Sequence, residues 1–304
     1  IIEDEDGNLI PNSERPITEV FMSNKPIFRK VYARKSNGKR VALALTVSPV
    51  KHRGKPIGAI ELFRDISDEV RLERARTEFI ALASHQLRTP ATAVKQYLHM
   101  LLDGFAGELT EPQRRFVSTA NQGNDRQLRI INDILKVAAA DSGDMVLQHS
   151  ETDLTELIRS IVDEHIPKLA KSRQKLLFTH PKTPVQVQVD TNVFRMVLEN
   201  LIDNAHKYTY PGKTIEITLA RKRNGTVIIV RDEGIGIRKS DMQRLFQKFV
   251  RLESSLSVSA GGTGLGLYWV KKVLELHGAS IQVESKVDQG TIFTITLPQK
   301  NNNL

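Results

Sequence analysis

The chain has 304 residues, enough for two or three domains, with 40% hydrophobic residues, 26% charged residues and a formal net charge of +9. It has no cysteine, which excludes disulfides and thiolate metal sites. No apolar run reaches the roughly 18–20 residues that cross a bilayer, and the basic residues are scattered without interleaved aromatics, so we expect no nucleic-acid partner.

The first segment, residues 1–66, predicts a meander of short β-strands. Turn signals, Asn37-Gly38 among them, separate the strands. The strand patterns occupy Phe28–Arg34, Val41–Val47 and Ile57–Phe63. The segment resembles the carboxy-terminal half of a PAS sensor domain, and a generic meander is the alternative. We expect much of a PAS amino-terminal half to be missing and any ligand pocket here to be incomplete.

Residues 67–148 predict two long helices joined by a short loop. The first runs from Ser67 to about Leu102, with apolar or small residues at a spacing of three and four. The second starts at Thr110, with Pro112 in its first turn and Gln113 completing a capping box. A hairpin with one apolar stripe per helix buries little surface alone. We therefore expect two copies to pair into a four-helix bundle, which makes the protein a homodimer.

A histidine lies at the edge of the first helix's apolar stripe. His85 precedes Pro90 by five residues, and Pro90 offers no N–H to the carbonyl of Gln86, which predicts a bend or a loosening of the helix just after the histidine. From this stretch alone, an ordinary surface histidine is the simpler interpretation. The residues Ser84–Pro90 resemble the H-box of two-component sensor histidine kinases, except that Gln86 replaces the usual acidic residue.

From residue 149 onward the pattern predicts a mixture of helices and strands. The predicted helices are Leu154–Lys171, Thr191–Tyr208, Ser240–Phe249 and Leu265–His277. The predicted strands are Leu176–Phe178, Val185–Val189, Ile215–Ala220, Thr226–Arg231, Ile281–Glu284 and Gly290–Leu297.

One predicted helix carries polar residues suited to a polyphosphate. Asn200, Asn204 and Lys207 recur about one turn apart and share a face. Amide oxygens suit Mg²⁺, and an ammonium neutralises phosphate charge. An amide pair on a helix more commonly serves capping or core polarity, so this motif alone is weak.

Two glycine-rich segments follow. In the first, Asp232 precedes Gly234 and Gly236 at the end of a predicted strand, where a buried carboxylate can accept a hydrogen bond from an adenine amine; an ordinary turn is the alternative. Its spacing is not that of a Rossmann fingerprint. The second, residues 261–267, runs into a helix and predicts an anion site. It lacks the Gly-Lys-Ser/Thr of a P-loop.

Taken in order from roughly Arg71 to Pro298, these motifs resemble the boxes of sensor histidine kinases. The resemblance implies ATP and Mg²⁺ as cofactors, with Asn204 as a metal ligand and Asp232 as the adenine reader. It assigns His85, Gln86 and Thr89 to catalysis, with Thr89 positioning water for dephosphorylation of a regulator. The other residues it assigns to ATP binding are Asn200, Lys207, Tyr208, Gly234, Gly236, Ile237, Phe246, Phe249, Arg251, Gly262, Thr263, Gly264, Leu265, Gly266, Leu267 and Thr291.

The expected fold class is multidomain α+β. It comprises a partial PAS-like β-meander at 1–66, a helical hairpin forming a dimeric four-helix bundle at 67–148, and an α/β sandwich ATP-binding domain at 149–304. The implied partners are a second copy and the receiver domain of a response regulator. We expect this part to lie in the cytoplasm and the full-length protein to be anchored in a membrane.

The resemblance implies autophosphorylation of His85 and transfer of the phosphoryl group to an aspartate of the regulator. Gln86 leaves two interpretations open, because glutamine cannot take a proton. Either it orients the imidazole while water or phosphate takes the proton, or the chain is a phosphatase-only or scaffold protein with weak kinase activity. An ATPase of the gyrase and mismatch-repair type is a further alternative, but such enzymes lack an upstream H-box hairpin.

Overall fold

The computed structural model describes residues 2–5, 7–53, 55–142, 145–223, 225–251 and 262–299. It divides into two compact units, Ile1–Phe79 and Ile80–Leu304. The sequence also predicts turns at positions 54 and 224, a helix stop at Gly143, a serine-rich segment at 253–260 and a polar tail from 299 to 303. Apart from Gln299, these positions lie outside the described residues, as does Gly261 of the second glycine-rich segment. Among the described residues, none of the helices combines the length and the apolar character that crossing a bilayer requires.

The first unit is built on a four-stranded antiparallel sheet in the order β1-β2-β3-β4. The predicted meander is confirmed. The strands are β1 (Ile2–Glu3), β2 (Ile27–Arg34), β3 (Arg40–His52) and β4 (Lys55–Asp65).

The prediction of strands alone across residues 1–66 was wrong. Residues Pro16–Ser23 form helix α1, which begins with proline in its first turn. Val20 of α1 is completely buried and packs with Val31 and Leu45 of the sheet. The helix therefore covers one face of the meander.

The predicted helical hairpin is confirmed as α2 (Ser67–Leu102) and α3 (Glu111–Asp141). The capping box also forms, because the side chain of Gln113 accepts a hydrogen bond from the backbone N–H of Thr110 at 2.9 Å. Helix α2 continues through Pro90, so the proline does not end it. The buried Asn124 joins the two helices by donating from Nδ2 to the carbonyl of Ala91 at 2.9 Å.

The remainder of the second unit is a five-stranded sheet in the order β10-β11-β9-β8-β6, covered by helices. The pair β6 and β8 is parallel and the other pairs are antiparallel. Large buried side chains from the helices and the sheet, such as Phe194 and Ile217, form one core. The sheet strands are β6 (Lys175–Thr179), β8 (Thr214–Lys222), β9 (Gly225–Asp232), β10 (Ser280–Lys286) and β11 (Gly290–Pro298), and the covering helices are α4 (Leu154–Lys171), α5 (Thr191–Tyr208) and α7 (Gly266–Leu276).

Two secondary-structure predictions in this region need correction. A strand that was not predicted, β5 (Ser150–Asp153), pairs with β7 (Gln186–Val189) in a small separate sheet. The predicted helix Ser240–Phe249 was wrong beyond its first turn, since α6 covers only Lys239–Met242. Phe249 has a φ of 62°, a left-handed conformation that cannot continue a right-handed helix.

Candidate functional site

A cavity of about 470 Å³ lies where α5, the segments after β9 and before α7, and helix α3 meet. This volume is within the usual range for small-molecule sites, roughly 300–1,000 Å³. The structure brings most of the predicted site residues together around it. Those in the cavity wall are Asn200, Asn204, Lys207, Tyr208, Asp232, Gly236, Ile237, Arg251, Gly262, Thr263, Gly264, Gly266, Leu267 and Thr291.

Helix α5 presents its polar face to the cavity. Asn200, Asn204 and Lys207 are half-buried, and all three line the wall, as their one-turn spacing predicts. The N-terminus of α7 packs directly against this face. A Cβ at Gly266 would lie 2.4 Å from Oδ1 of Asn200, so only glycine permits so close an approach.

The end of α5 is held by a buried glutamine that lies outside the predicted site. Gln174 is 7% exposed, and its Nε2 donates to the carbonyls of Thr209 at 2.6 Å and His206 at 3.1 Å. Its Oε1 lies 2.6 Å from Nδ1 of His206. These bonds fix the last turn of α5, and with it Lys207 in the cavity wall.

Asp232 is the buried carboxylate of the cavity. It is 5% exposed, and its Oδ1 accepts the backbone N–H groups of Gly234 at 2.9 Å and Thr291 at 3.2 Å. Burial raises the pKa of the Asp232 carboxyl to about 6. Within the part of the chain that the structure describes, Oδ2 receives no hydrogen bond. This oxygen is free to accept a hydrogen bond from a ligand.

The loop after Asp232 depends on glycine for its path. Gly236 has a φ of 64°, and a Cβ there would lie 2.0 Å from the carbonyl of Lys286. A side chain at this position would clash with backbone that cannot move aside. Gly236 therefore allows the loop to lie flat against the β10–β11 connection while it lines the cavity.

Four of the residues predicted to bind ATP lie outside the cavity wall. Gly234 holds Asp232 through its N–H, and Leu265 is 2% exposed in the core. Phe246 packs against the same core, whereas Phe249 is 68% exposed. Their assignment to ATP binding stays a prediction.

Helix α3 supplies a wall of the cavity that the sequence analysis did not foresee. Arg126, Arg129, Ile130 and Asp133 line it, and Oδ2 of Asp133 accepts a hydrogen bond from Oγ1 of Thr263 at 2.8 Å. Their spacing of i, i+3, i+4 and i+7 marks one helix face. The sequence carries this spacing as a signal of a shared helix face. The face lies next to the apolar stripe of α3, on which the prediction of the hairpin was based.

The same face of α3 is tied to the segments around α7 farther along. Asp141 is hydrogen-bonded to the hydroxyl of Tyr268 and forms an ion pair with Lys248 at 2.5 Å. Val137 and Ala140, each 6% exposed, belong to the core of the α/β region. Helix α3 is thus packed against the cavity-bearing region.

The three H-box residues lie apart from the cavity wall. His85, Gln86 and Thr89 are exposed on α2, and the hydroxyl of Thr89 donates to the backbone carbonyl of His85 at 3.3 Å. The neighbouring Ser84 is 5% exposed. The imidazole of His85 is therefore accessible to a reactant from outside the hairpin.

Two known families match the chain. Residues 189–301 match the family described as histidine kinase-, DNA gyrase B-, and HSP90-like ATPase, and this range includes α5, Asp232 and α7. Residues 75–143 match the His Kinase A (phospho-acceptor) domain, and this range includes His85 and helix α3. Together the two matches cover the cavity and the exposed histidine of α2.

Named relatives are similar over most of this chain. The sensor histidine kinase WalK of Bacillus subtilis is 32% identical over 253 residues, which is 82% of this chain and 41% of that protein. The circadian input-output histidine kinase CikA of Synechococcus elongatus is 37% identical over 228 residues, 74% of this chain and 30% of that protein. The chain thus spans less than half the length of these two relatives.

Solved structures show the same architecture. The full-length ShkA structure in complex with AMPPNP matches with a TM-score of 0.63 and 25% identity, covering 73% of this chain and 45% of that one. The complex of histidine kinase ThkA with a response regulator protein matches with a TM-score of 0.54 and 21% identity, covering 99% of this chain and 89% of that one. The second match shows a likeness of fold alone.

Proposed function

The chain belongs to the sensor histidine kinases of two-component systems, and from this premise we propose that it binds Mg·ATP in the cavity and transfers the γ-phosphoryl group to His85. One observation carries the proposal. The cavity joins a buried carboxylate, a polar helix face and a helix N-terminus, while the phospho-acceptor helix of the same chain leaves its histidine exposed.

The adenine end of the nucleotide is assigned to Asp232. Its Oδ1 is occupied by two backbone N–H groups, so Oδ2 accepts the hydrogen bond of the exocyclic amine. Asp232 accepts this hydrogen bond in its deprotonated form. Because the pKa of its carboxyl is about 6, most of the group is ionised at neutral pH. Binding of a donor further favours the ionised form.

The phosphate end is assigned to α5 and α7. The backbone N–H groups at the N-terminus of α7 attract anionic oxygens, and Lys207 neutralises phosphate charge. The amide oxygens of Asn200 and Asn204 suit Mg²⁺, which takes one or two protein ligands and otherwise keeps water and phosphate oxygens. When bound, Mg²⁺ supplies charge neutralisation at the phosphates. Asn204 is the ligand that we propose.

In the transfer step, a ring nitrogen of His85 attacks the γ-phosphorus. A nitrogen–phosphorus bond forms, the bond to the bridging β–γ oxygen breaks, and ADP leaves with that electron pair. The ring proton passes to water or phosphate. Gln86 can accept a hydrogen bond and orient the imidazole, but it cannot take the proton.

We propose further properties of the protein. The phosphoryl group passes from His85 to an aspartate of a receiver domain, and Thr89 positions the water that reverses this step. The protein acts as a homodimer, because Leu72, Phe79 and Leu82 of α2 are 62–72% exposed in a single chain. It acts in the cytoplasm, where ATP is available. Membrane anchorage of the full-length protein and the PAS-like identity of residues 1–66 stay predictions.

Incubation with γ-labelled ATP tests the proposed function. We expect an acid-labile, alkali-stable label on the chain, which is the signature of phosphohistidine. His85→Ala should abolish the label and keep nucleotide affinity, whereas His99→Ala, an exposed histidine on the same helix, should keep the label. Label that persists in His85→Ala would place the acceptor elsewhere. A wild-type chain that binds ATP without acquiring label would instead favour the scaffold or phosphatase interpretation.

A further inference from the structure

Two arginines of helix α3 line the cavity. Arg126 and Arg129 both line the wall, and both are exposed rather than packed into the core. They lie three residues apart and share the face that carries Asp133. Neither belongs to the region that matches the ATPase family, which begins at residue 189.

Within the part of the chain that the structure describes, the two guanidinium groups differ from charged groups around them in having no partner. Among the described residues, neither Arg126 nor Arg129 has a hydrogen bond or an ion pair from its side chain. In the same wall, Asp203 is paired with Lys168 at 2.5 Å. Arginine forms forked hydrogen bonds that suit phosphate oxygens, and two such groups at one cavity favour an anionic ligand.

The position of α3 identifies the end of the cavity that these arginines face. Asp133 bonds to Thr263, which directly precedes Gly264 and the N-terminus of α7. Arg129 lies one turn before Asp133, about 6 Å along the helix, and Arg126 lies about 10 Å before it. The contact of Asp133 with Thr263 therefore anchors this face of α3 next to α7 and Asn200, the end of the cavity that we assign to the phosphates.

We propose that Arg126 and Arg129 bind the terminal phosphate of the nucleoside triphosphate, so that helix α3 completes the nucleotide site. The inference rests on the proposed function and deepens it. A triphosphate bridges α3 and α7, whereas a diphosphate, lacking the γ-phosphate, does not reach the arginines. The packed arrangement of α3 on the cavity thus favours ATP over ADP, and loss of the γ-phosphate weakens the bridge.

Calorimetric titration of the full chain with Mg²⁺ and either AMPPNP or ADP tests this inference. We expect Arg126→Gln and Arg129→Gln each to lower AMPPNP affinity about tenfold, the usual worth of a hydrogen bond to a charged group, and to change ADP affinity less than about twofold. Arg115→Gln is the matched control. It removes the same charge from an exposed position of α3 outside the cavity wall and should change neither affinity.

Substitution of Arg129 by lysine separates phosphate binding from a merely structural role. Arg129→Lys keeps the charge and should recover part of the AMPPNP affinity, which loss of a merely structural contact would not predict. Equal losses of affinity for both nucleotides would show that the arginines only hold α3 in place. Unchanged AMPPNP affinity would show that the arginines do not reach the nucleotide. Either result would overturn this inference and leave the proposed function standing. A wild type that binds neither nucleotide would overturn the proposed function as well.

Discussion

Asp232 illustrates how a single buried residue serves binding at the expense of stability. Its carboxyl accepts two backbone N–H groups, and these bonds stabilise the ionised form, yet burial outweighs them and raises the pKa to about 6. The unfolded chain has an ordinary value of 3.8. A residue that costs stability at neutral pH is one for which a binding role is the natural explanation.

We predict that Asp232→Asn weakens ATP binding at least tenfold. Asparagine can keep both backbone hydrogen bonds with Oδ1, but it presents an NH₂ group in place of Oδ2, so a donor faces the donor of adenine. Calorimetry measures the affinity. Unchanged affinity would remove Asp232 from the site.

The same variant has a predicted pH signature in stability. Because the folded pKa of Asp232 is raised, its contribution to stability is complete below pH 3.8 and is lost as the pH rises through about 6. Asp232→Asn should therefore become more stable than the wild type by an amount that grows across this window, on the order of 1–3 kcal/mol. Urea unfolding followed by fluorescence of the buried Trp269, the one tryptophan of the chain, measures it. A difference that is constant with pH would contradict the prediction.

Gln86 is the residue at which this chain departs from the family's usual H-box. If the missing base limits autophosphorylation, Gln86→Glu should speed it by about 10²-fold or more. If docking of the domains limits the rate, the gain should be near unity, and we expect a modest gain. The measurement is the single-turnover rate of phosphohistidine formation at saturating Mg·ATP. An active wild type with a variant no faster would show that Gln86 does not handicap the kinase.

At the scale of elements, helix α5 connects the core to the site. Its apolar face, with Phe194 and Leu201 fully buried, packs in the core, and its polar face lines the cavity. Its last turn has carbonyls that no further helical residue can satisfy. Gln174, which directly precedes β6, donates hydrogen bonds to two carbonyls at this end of the helix.

We predict that Gln174→Ala destabilises the α/β region by about 1–3 kcal/mol, because it leaves two buried carbonyls without a donor. ATP affinity should also fall several-fold, since Lys207 follows the same turn. Trp269 fluorescence in urea reports the first effect and calorimetry the second. Gln282→Ala, an exposed position on β10, is the control and should stay within about 0.5 kcal/mol of the wild type. An equally small effect at Gln174 would contradict the role of this residue.

At the scale of the whole molecule, the hairpin leaves apolar side chains without cover. Leu82, on the predicted seam of α2, is 62% exposed, although its spacing is that of a helix packed against others. Isolated exposed leucines are ordinary, but a stripe along one helix is a sign of an interface. A second hairpin is the occupant that the proposed four-helix bundle supplies.

We predict that Leu82→Glu converts the protein from dimer to monomer while ATP affinity stays unchanged, because a charge in the seam is costly to bury and the cavity lies elsewhere. Sedimentation velocity at several concentrations measures the association. Leu177→Glu, at a comparably exposed leucine on β6, should leave the dimer intact. A wild type that is already monomeric would refute the bundle.

Features that depend on neighbouring residues could be predicted from the amino-acid order alone. The capping box at Thr110, the bounds of α5 and the shared face of Asn200 and Asn204 follow from local hydrogen bonding and from 3.6 residues per turn, and the structure reproduces them. Periodicity also predicted the hairpin, because each long helix must bury one stripe. These forces act within a few residues, so the amino-acid order suffices to reveal them.

Contacts between distant segments, in contrast, could not be predicted from local patterns and become visible in the folded chain. Asp133 and Thr263 are 130 positions apart, and their hydrogen bond is one of the contacts that hold α3, with Arg126 and Arg129, at the cavity. The pairing of β5 with β7, the early end of α6 at Met242 and the left-handed conformation of Phe249 likewise depend on what packs around them. Packing of the whole core selects these contacts, and local propensity carries no information about it.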